Sequence, residues 1–133
     1  MELHHVGIAA PNLEAAAAPY LQLGYVLEAS GAVESQGVSV YMLKSPGQDG
    51  GKLELLSPTH QGSAIARFLE KRGPGLHHLA FKCSNIEAEL QHLATEGVPL
   101  IDSRPRPGFG GHRVAFIHPK WAGGVLVELV EEH

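Results

Sequence analysis

A single cysteine, Cys83, leaves this chain no internal disulfide to close, and that points to a reducing, cytoplasmic setting. Aromatic residues are scarce, at 6%, so no stacking platform for a nucleotide base stands out. Positive charge is scarce too. Ten Lys and Arg against fourteen Asp and Glu give a net charge of -4, which excludes the electrostatic footprint of a nucleic-acid binder. No apolar run is long enough to span a bilayer, and the start "MELHHVGIAAP" lacks the basic flank of a signal peptide, so no membrane partner is expected. What the chain does have is 44% hydrophobic residues, enough for a substantial core in 133 residues, and nine histidines.

Two of those histidine pairs sit in stretches that read as copies: "LHHVGIAAPNLEAA" from residue 3 and "LHHLAFKCSNIEAE" from residue 76. A shift of 73 positions carries His5 onto His78, Asn12 onto Asn85, Glu14 onto Glu87, Gly24 onto Gly97 and Leu27 onto Leu100, without a gap. Only two copies exist, so duplication of one module fits better than a solenoid. Each copy opens with an apolar strand, then an Asn N-cap and a helix, expected at 13–22 and 86–96. Pro19 should kink or shorten the first helix. Further strands are expected at 24–31, 37–44 and 52–57, and at 98–102, 112–118 and 124–131. Gly/Pro-rich turns fall at 45–52 and 104–112, and "SAIARFLEKRG" reads as a linking helix over 63–73. The fold class is therefore α+β: one domain over 1–133, with module one at about 1–58 and module two at about 76–133, each βαβββ.

The fourth strand of each module carries a carboxylate in an apolar run, Glu54 in "KLELLSP" and Glu128 in "VLVELVE", 74 positions apart. Strand side chains alternate between faces, so each Glu points away from its apolar neighbours. A carboxylate held in a core needs a partner or a metal. The same alternation separates the paired histidines. His4 and His77 share faces with bulky residues (Val6 and Ile8, Leu79 and Phe81), whereas His5 and His78 share theirs with Gly7 and Ala80. Small neighbours leave room for a ligand. His5, Glu54, His78 and Glu128 thus form a symmetric set of two imidazoles and two carboxylates, suited to a borderline or hard divalent ion with two coordination positions left for substrate. His112 and His118 flank a strand and could line a pocket; His60, His92 and His133 read as surface residues.

The blocks "HVGIAAPNLEAA", "QGVSVYML", "KLELLSP", "SAIARFLEKRGPGLHHLAF", "EGVPLIDSRPRPG" and "HPKWAGGVLVEL" resemble the methylmalonyl-CoA epimerases of the vicinal oxygen chelate (glyoxalase/bleomycin resistance/dioxygenase) superfamily, over nearly the whole chain. The resemblance implies two tandem βαβββ modules curved as a mixed sheet around a metal cavity, and a homodimer acting on a CoA thioester in propionate metabolism. It implies His5, His78 and Glu128 as metal ligands and Glu54 at the remaining ligand position. The metal is implied to be cobalt(II) first, with Mn, Ni, Zn, Fe or Mg as other choices. It also implies R/S interconversion of methylmalonyl-CoA by α-proton abstraction through a metal-stabilised enolate; beside the metal, Glu54 or Glu128 is the candidate for one acid/base role, and the residues leave the second group open. Some family members carry a glutamate base three residues after the Gly of "QGV"; here Val40 stands there. Trp121 in "HPKWAGG" is bulkier than the pattern suggests. The CoA phosphates need cations, for which Arg67, Lys71, Arg72, Arg104, Arg106, Arg113 and Lys120 are available. Two other activities fit the same scaffold: another enzyme of the superfamily, such as a lactoylglutathione lyase, and a metal-free antibiotic-binding resistance protein.

Overall fold

The structure is a computed structural model that describes residues 1–47 and 50–133. Gln48 and Asp49, in the turn expected at 45–52, lie outside the described residues. The chain forms two compact units, residues 5–77 and residues 1–4 with 78–133, referred to below as modules one and two.

Module one contains most of β1 (Glu2–Ala9), then α1 (Leu13–Gln22), β2 (Val26–Val33), β3 (Val38–Lys44), β4 (Lys52–Pro58) and α2 (Ala64–Arg72). Its strands run in the order β2-β3-β4-β1, with β1 and β4 parallel and the other pairs antiparallel. The Asn12 side chain accepts the Ala15 N–H at 2.9 Å, as an N-cap should. α1 covers the expected 13–22 and continues three residues beyond Pro19, which therefore does not shorten it. Ala17 of α1 packs on Leu43 and Leu55, with Tyr20, Tyr25 and Tyr41 around them. This apolar contact with the sheet outweighs the single hydrogen bond that proline forfeits. Ser63 caps α2 through the Ala66 N–H, and Gly73 ends it with φ +76°. The Gly of "QGV", Gly37, has φ +67°, and a Cβ there would stand 2.7 Å from the His60 ring. That turn into β3 accepts no side chain.

Module two holds β5 (Gly75–Lys82) from His78 onward, α3 (Ile86–Thr95), β6 (Arg106–Pro107), β7 (Arg113–Ile117) and β8 (Leu126–Glu131), in the order β5-β8-β7-β6. The duplication recurs in detail. Asn85 caps α3 as Asn12 caps α1, and the Cys83 N–H bonds the Val130 carbonyl as the Ala10 N–H bonds that of Leu56. The α3 side of the sheet holds the core of Ile86, Leu90, Ala115, Ile117, Val127 and Leu129. Cys83 belongs to that core, and burial pushes its thiol up, away from nucleophile chemistry. The strand expected at 98–102 is reduced to a bridge between Leu100 and Ile117. Pro99 has no N–H to give, and both the Ile101 and Asp102 N–H groups converge on the Phe116 carbonyl instead of forming a ladder. β6 is only two residues long, in a proline-flanked segment.

The start of α3 is also tied to the end of β8. A Glu131 carboxylate oxygen accepts the Ile86 N–H at 2.9 Å, and Arg113 bridges Glu131 and Glu87. The Ile86 N–H, then Arg113, hold the Glu131 carboxyl below its ordinary 4.5; Arg113 does the same for Glu87. Because these folded values lie below the unfolded ones, their stabilisation is complete above that value and fades as pH falls through the lowered ones. Glu131→Gln should therefore melt at a lower temperature than wild type at neutral pH, and the gap should narrow between about pH 5 and pH 3. Thermal melts across that range, followed by circular dichroism, check this.

Candidate active site

Parallel pairing of β1 with β4 sets Gly7 opposite Glu54 and Ala9 opposite Leu56. Opposed residues share a sheet face, so His5, Gly7 and Glu54 lie together. Gly7 brings no side chain to the space beside Glu54, and Glu54 Oε1 comes within 3.4 Å of His5 Nε2. In module two, Ala80 lies opposite Glu128, and Glu128 Oε1 stands 3.4 Å from His78 Nε2. The two modules thus build the same pair from the same grammar: a histidine, then a small residue two places on, opposite a glutamate. All four side chains are buried, with residue exposures of 3% for His5, 7% for Glu54, 4% for His78 and 5% for Glu128.

Burying an imidazole and a carboxylate costs several kcal/mol unless each finds charge or hydrogen-bond partners. At 3.4 Å each pair lies just beyond an ordinary N–H···O bond. Two ligands at right angles and about 2.1 Å from one cation stand about 3 Å apart, so the spacing also suits neighbouring metal ligands. The donor set, one imidazole nitrogen and one carboxylate oxygen in each module, fits a divalent ion.

The surroundings differ between modules. In module one Met42 lies opposite Glu54, and Val40 lies opposite both Leu56 and Gly31. Val40 is 1% exposed on this face, so Glu54 is the only carboxylate that β1, β3 and β4 present there among the described residues. In module two Phe116 lies opposite Glu128 and meets the His78 ring edge-on, with centroids 6.1 Å apart. The Arg106 guanidinium carbon stands 4.8 Å from the centre of the same ring. The Phe116 N–H donates to Asp102 at 2.9 Å.

The remaining histidines and cations sort themselves out. His77 packs on Phe68, with ring centroids 4.8 Å apart. The ligand atoms of His4, His112 and Glu132 lie within 4.8 Å of one another, which at first suggests a second metal site. However, Lys82 Nζ already holds Glu132 at 2.6 Å, and His112 Nδ1 accepts the His133 N–H. A metal-bound imidazole donates from its other nitrogen, so this polarity is reversed and the cluster is an ion-pair network. Arg113 is committed to Glu87 and Glu131, Arg67 donates to the Gly62 carbonyl, and Arg72 sits over Phe68. Arg104 and Arg106 line a hollow of about 570 Å³. Trp121, half-exposed, lines an apolar hollow of about 500 Å³ with Met1, Leu79, Phe81 and Val125.

The family model of the glyoxalase/bleomycin resistance protein/dioxygenase superfamily matches residues 4–116. The chain belongs to that superfamily. Within it, the chain is 42% identical over 130 residues to an ethylmalonyl-CoA/methylmalonyl-CoA epimerase of Cereibacter sphaeroides, covering 96% of this chain and 95% of that protein. It is 39% identical over 129 residues to the human mitochondrial methylmalonyl-CoA epimerase, covering 96% of this chain and 72% of the human one. The crystal structure of the Mycobacterium tuberculosis methylmalonyl-CoA epimerase superposes with a TM-score of 0.93 at 41% identity, covering 98% of this chain and 87% of that one. The α+β class read from the repeat, and the superfamily fold that the resemblance implied, are what is observed.

Sequence reasoning missed the Asp102–Phe116–Arg106 arrangement. The "RPRPG" segment flags Arg106 only as a proline-flanked cation; its place opposite Val114 is set by loop-determined register.

Proposed function

We propose that this chain, acting as one domain over residues 1–133, is an isomerase that interconverts the R and S epimers of methylmalonyl-CoA. The observation that carries the reading is the buried His–Glu pair repeated in both modules, in a chain about 40% identical to epimerases over nearly its full length. His5, Glu54, His78 and Glu128 are the residues that would hold a divalent cation, with cobalt(II) the first choice. Bound there, such a cation supplies positive charge to the oxygen on which negative charge develops as the α-proton leaves.

The rest falls to the protein. The reacting carbon lies between a carboxylate and a thioester, and inversion requires its proton to leave from one face and return to the other. One acidic side chain serves each face: the carboxylate on one face takes the proton, and the protonated carboxyl on the other returns one. Val40, buried on the Glu54 face, offers no ionisable group, so Glu54 takes one face and Glu128 the other. The apolar side chains of Val40, Met42 and Leu56 beside Glu54, and of Phe116 beside Glu128, keep water from quenching the carbanionic carbon at random. The working form is a homodimer in the cytoplasm, serving propionate metabolism. No helix among the described residues is long and apolar enough to cross a membrane.

The test is solvent exchange. Metal-loaded protein in heavy water should place deuterium at the α-carbon of methylmalonyl-CoA as the epimers interconvert, and should leave glutathione hemithioacetals untouched. Hemithioacetal turnover without exchange would move the chain to the glyoxalase activity of the superfamily. Neither reaction, in protein that carries no metal after purification and reloading, would leave a binding protein.

A further inference from the structure

Arg106 stands where two features of module two meet. Pairing of β6 with β7 sets it opposite Val114, which packs with Ala80 and Val130 on the face that also carries Phe116, Glu128 and His78. The ring of Phe116 supports the guanidinium at 4.8 Å. Asp102, pinned by the Phe116 N–H, comes within 3.1 Å of Nε without the alignment of a hydrogen bond. One face and one edge of the guanidinium are thus held, yet the side chain remains 39% exposed. A guanidinium keeps its charge at every working pH, and its terminal N–H groups match the two oxygens of a carboxylate. Ordering it in advance lowers the cost of binding.

We infer that Arg106 binds the free carboxylate of the substrate and so selects 2-carboxyacyl thioesters over plain acyl thioesters. The inference rests on the reaction proposed above. Geometry favours the carboxylate over a CoA phosphate. The carboxylate is one bond from the carbon that must reach Glu128, whose strand neighbour Phe116 carries Arg106 on its ring. The phosphates lie at the far end of a long, flexible pantetheine arm. Arg104, exposed in the hollow next to Arg106, is the cation better placed for them.

The experiment is calorimetric titration of metal-loaded protein with three thioesters: methylmalonyl-CoA, methylmalonyl-pantetheine, which lacks the nucleotide phosphates, and propionyl-CoA, which lacks only the carboxylate. Arg106→Gln should weaken the first two alike, by roughly 10- to 100-fold, and leave propionyl-CoA unchanged. Arg106→Lys, which keeps the charge without the fork, should fall between and carries the same test if the glutamine variant folds poorly. Equal loss for both CoA esters, with pantetheine binding intact, would assign Arg106 to phosphate and overturn the inference. Unchanged affinity for all three would overturn it as well. Because these are binding measurements, wild-type protein that prefers the carboxylated thioester but exchanges no proton would sink the proposed reaction and leave this role standing.

Discussion

His78→Ala should lose metal-dependent exchange of the methylmalonyl-CoA α-proton altogether while the protein stays folded. His78 contributes one imidazole nitrogen, aimed at Glu128 from 3.4 Å, and alanine offers nothing in its place. Loss of a residue that merely orients a metal ligand costs about 10- to 100-fold in affinity, and loss of a ligand itself costs more. The fold should survive because the core of module two lies on the other face of the sheet, under α3. The cavity opens instead beside Phe116, next to a strand-mate, Ala80, that is already small. Truncation also leaves the Glu128 carboxylate without its imidazole, a stability cost of about 1–3 kcal/mol. Metal analysis after dialysis, a thermal melt and heavy-water exchange test the three statements separately. Full activity in a His78→Ala protein that carries no metal would end the proposal. His4→Ala is the matched control. His4 faces Glu132 rather than Glu54, so its loss should leave exchange intact.

That contrast between neighbouring histidines was legible in the chain because a strand has a period of two. Gly7 and Ala80 marked which of each pair has space beside it, and the structure buries His5 next to Glu54 and His78 next to Glu128. The helices were legible because their caps are local. Asn12, Ser63 and Asn85 each bond an N–H three residues on, and Gly73 ends α2 within one residue of where the sequence places its end. The segment 98–107 was not legible. The Ile101 and Asp102 N–H groups go to Phe116, fourteen or more residues along the chain, and the apolar "VPL" run resembles a strand only until Pro99 is counted as a missing donor. Arg106 was hidden for the same reason: composition gives its charge, but only cross-strand register gives it Phe116 and Asp102. The bounds of α1 were legible despite Pro19, because the tyrosine-lined contact of the helix with its sheet offsets the proline's poor propensity.

Glu128→Gln separates holding a metal from moving a proton. Glutamine keeps the length of the side chain and one oxygen that can still face a cation, so part of the metal should remain. It has no carboxylate to take a proton, and loss of a positioned acid/base lowers turnover by about 10²- to 10⁴-fold. The form of the loss is more telling than its size. If Glu128 serves one face of the substrate and Glu54 the other, each variant should stop inversion but spare one half-reaction. Starting from a single epimer in heavy water, Glu128→Gln should still wash deuterium into the epimer whose proton Glu54 removes, with retention, and fail on its mirror partner. Glu54→Gln should show the opposite preference. Equal residual exchange from both epimers would mean that one group serves both faces, and unchanged inversion would remove Glu128 from proton transfer. Val40 sharpens the test. It is buried on the same face as Glu54 and offers no ionisable group, so in module one no neighbour on β3 can take over when Glu54 is neutralised.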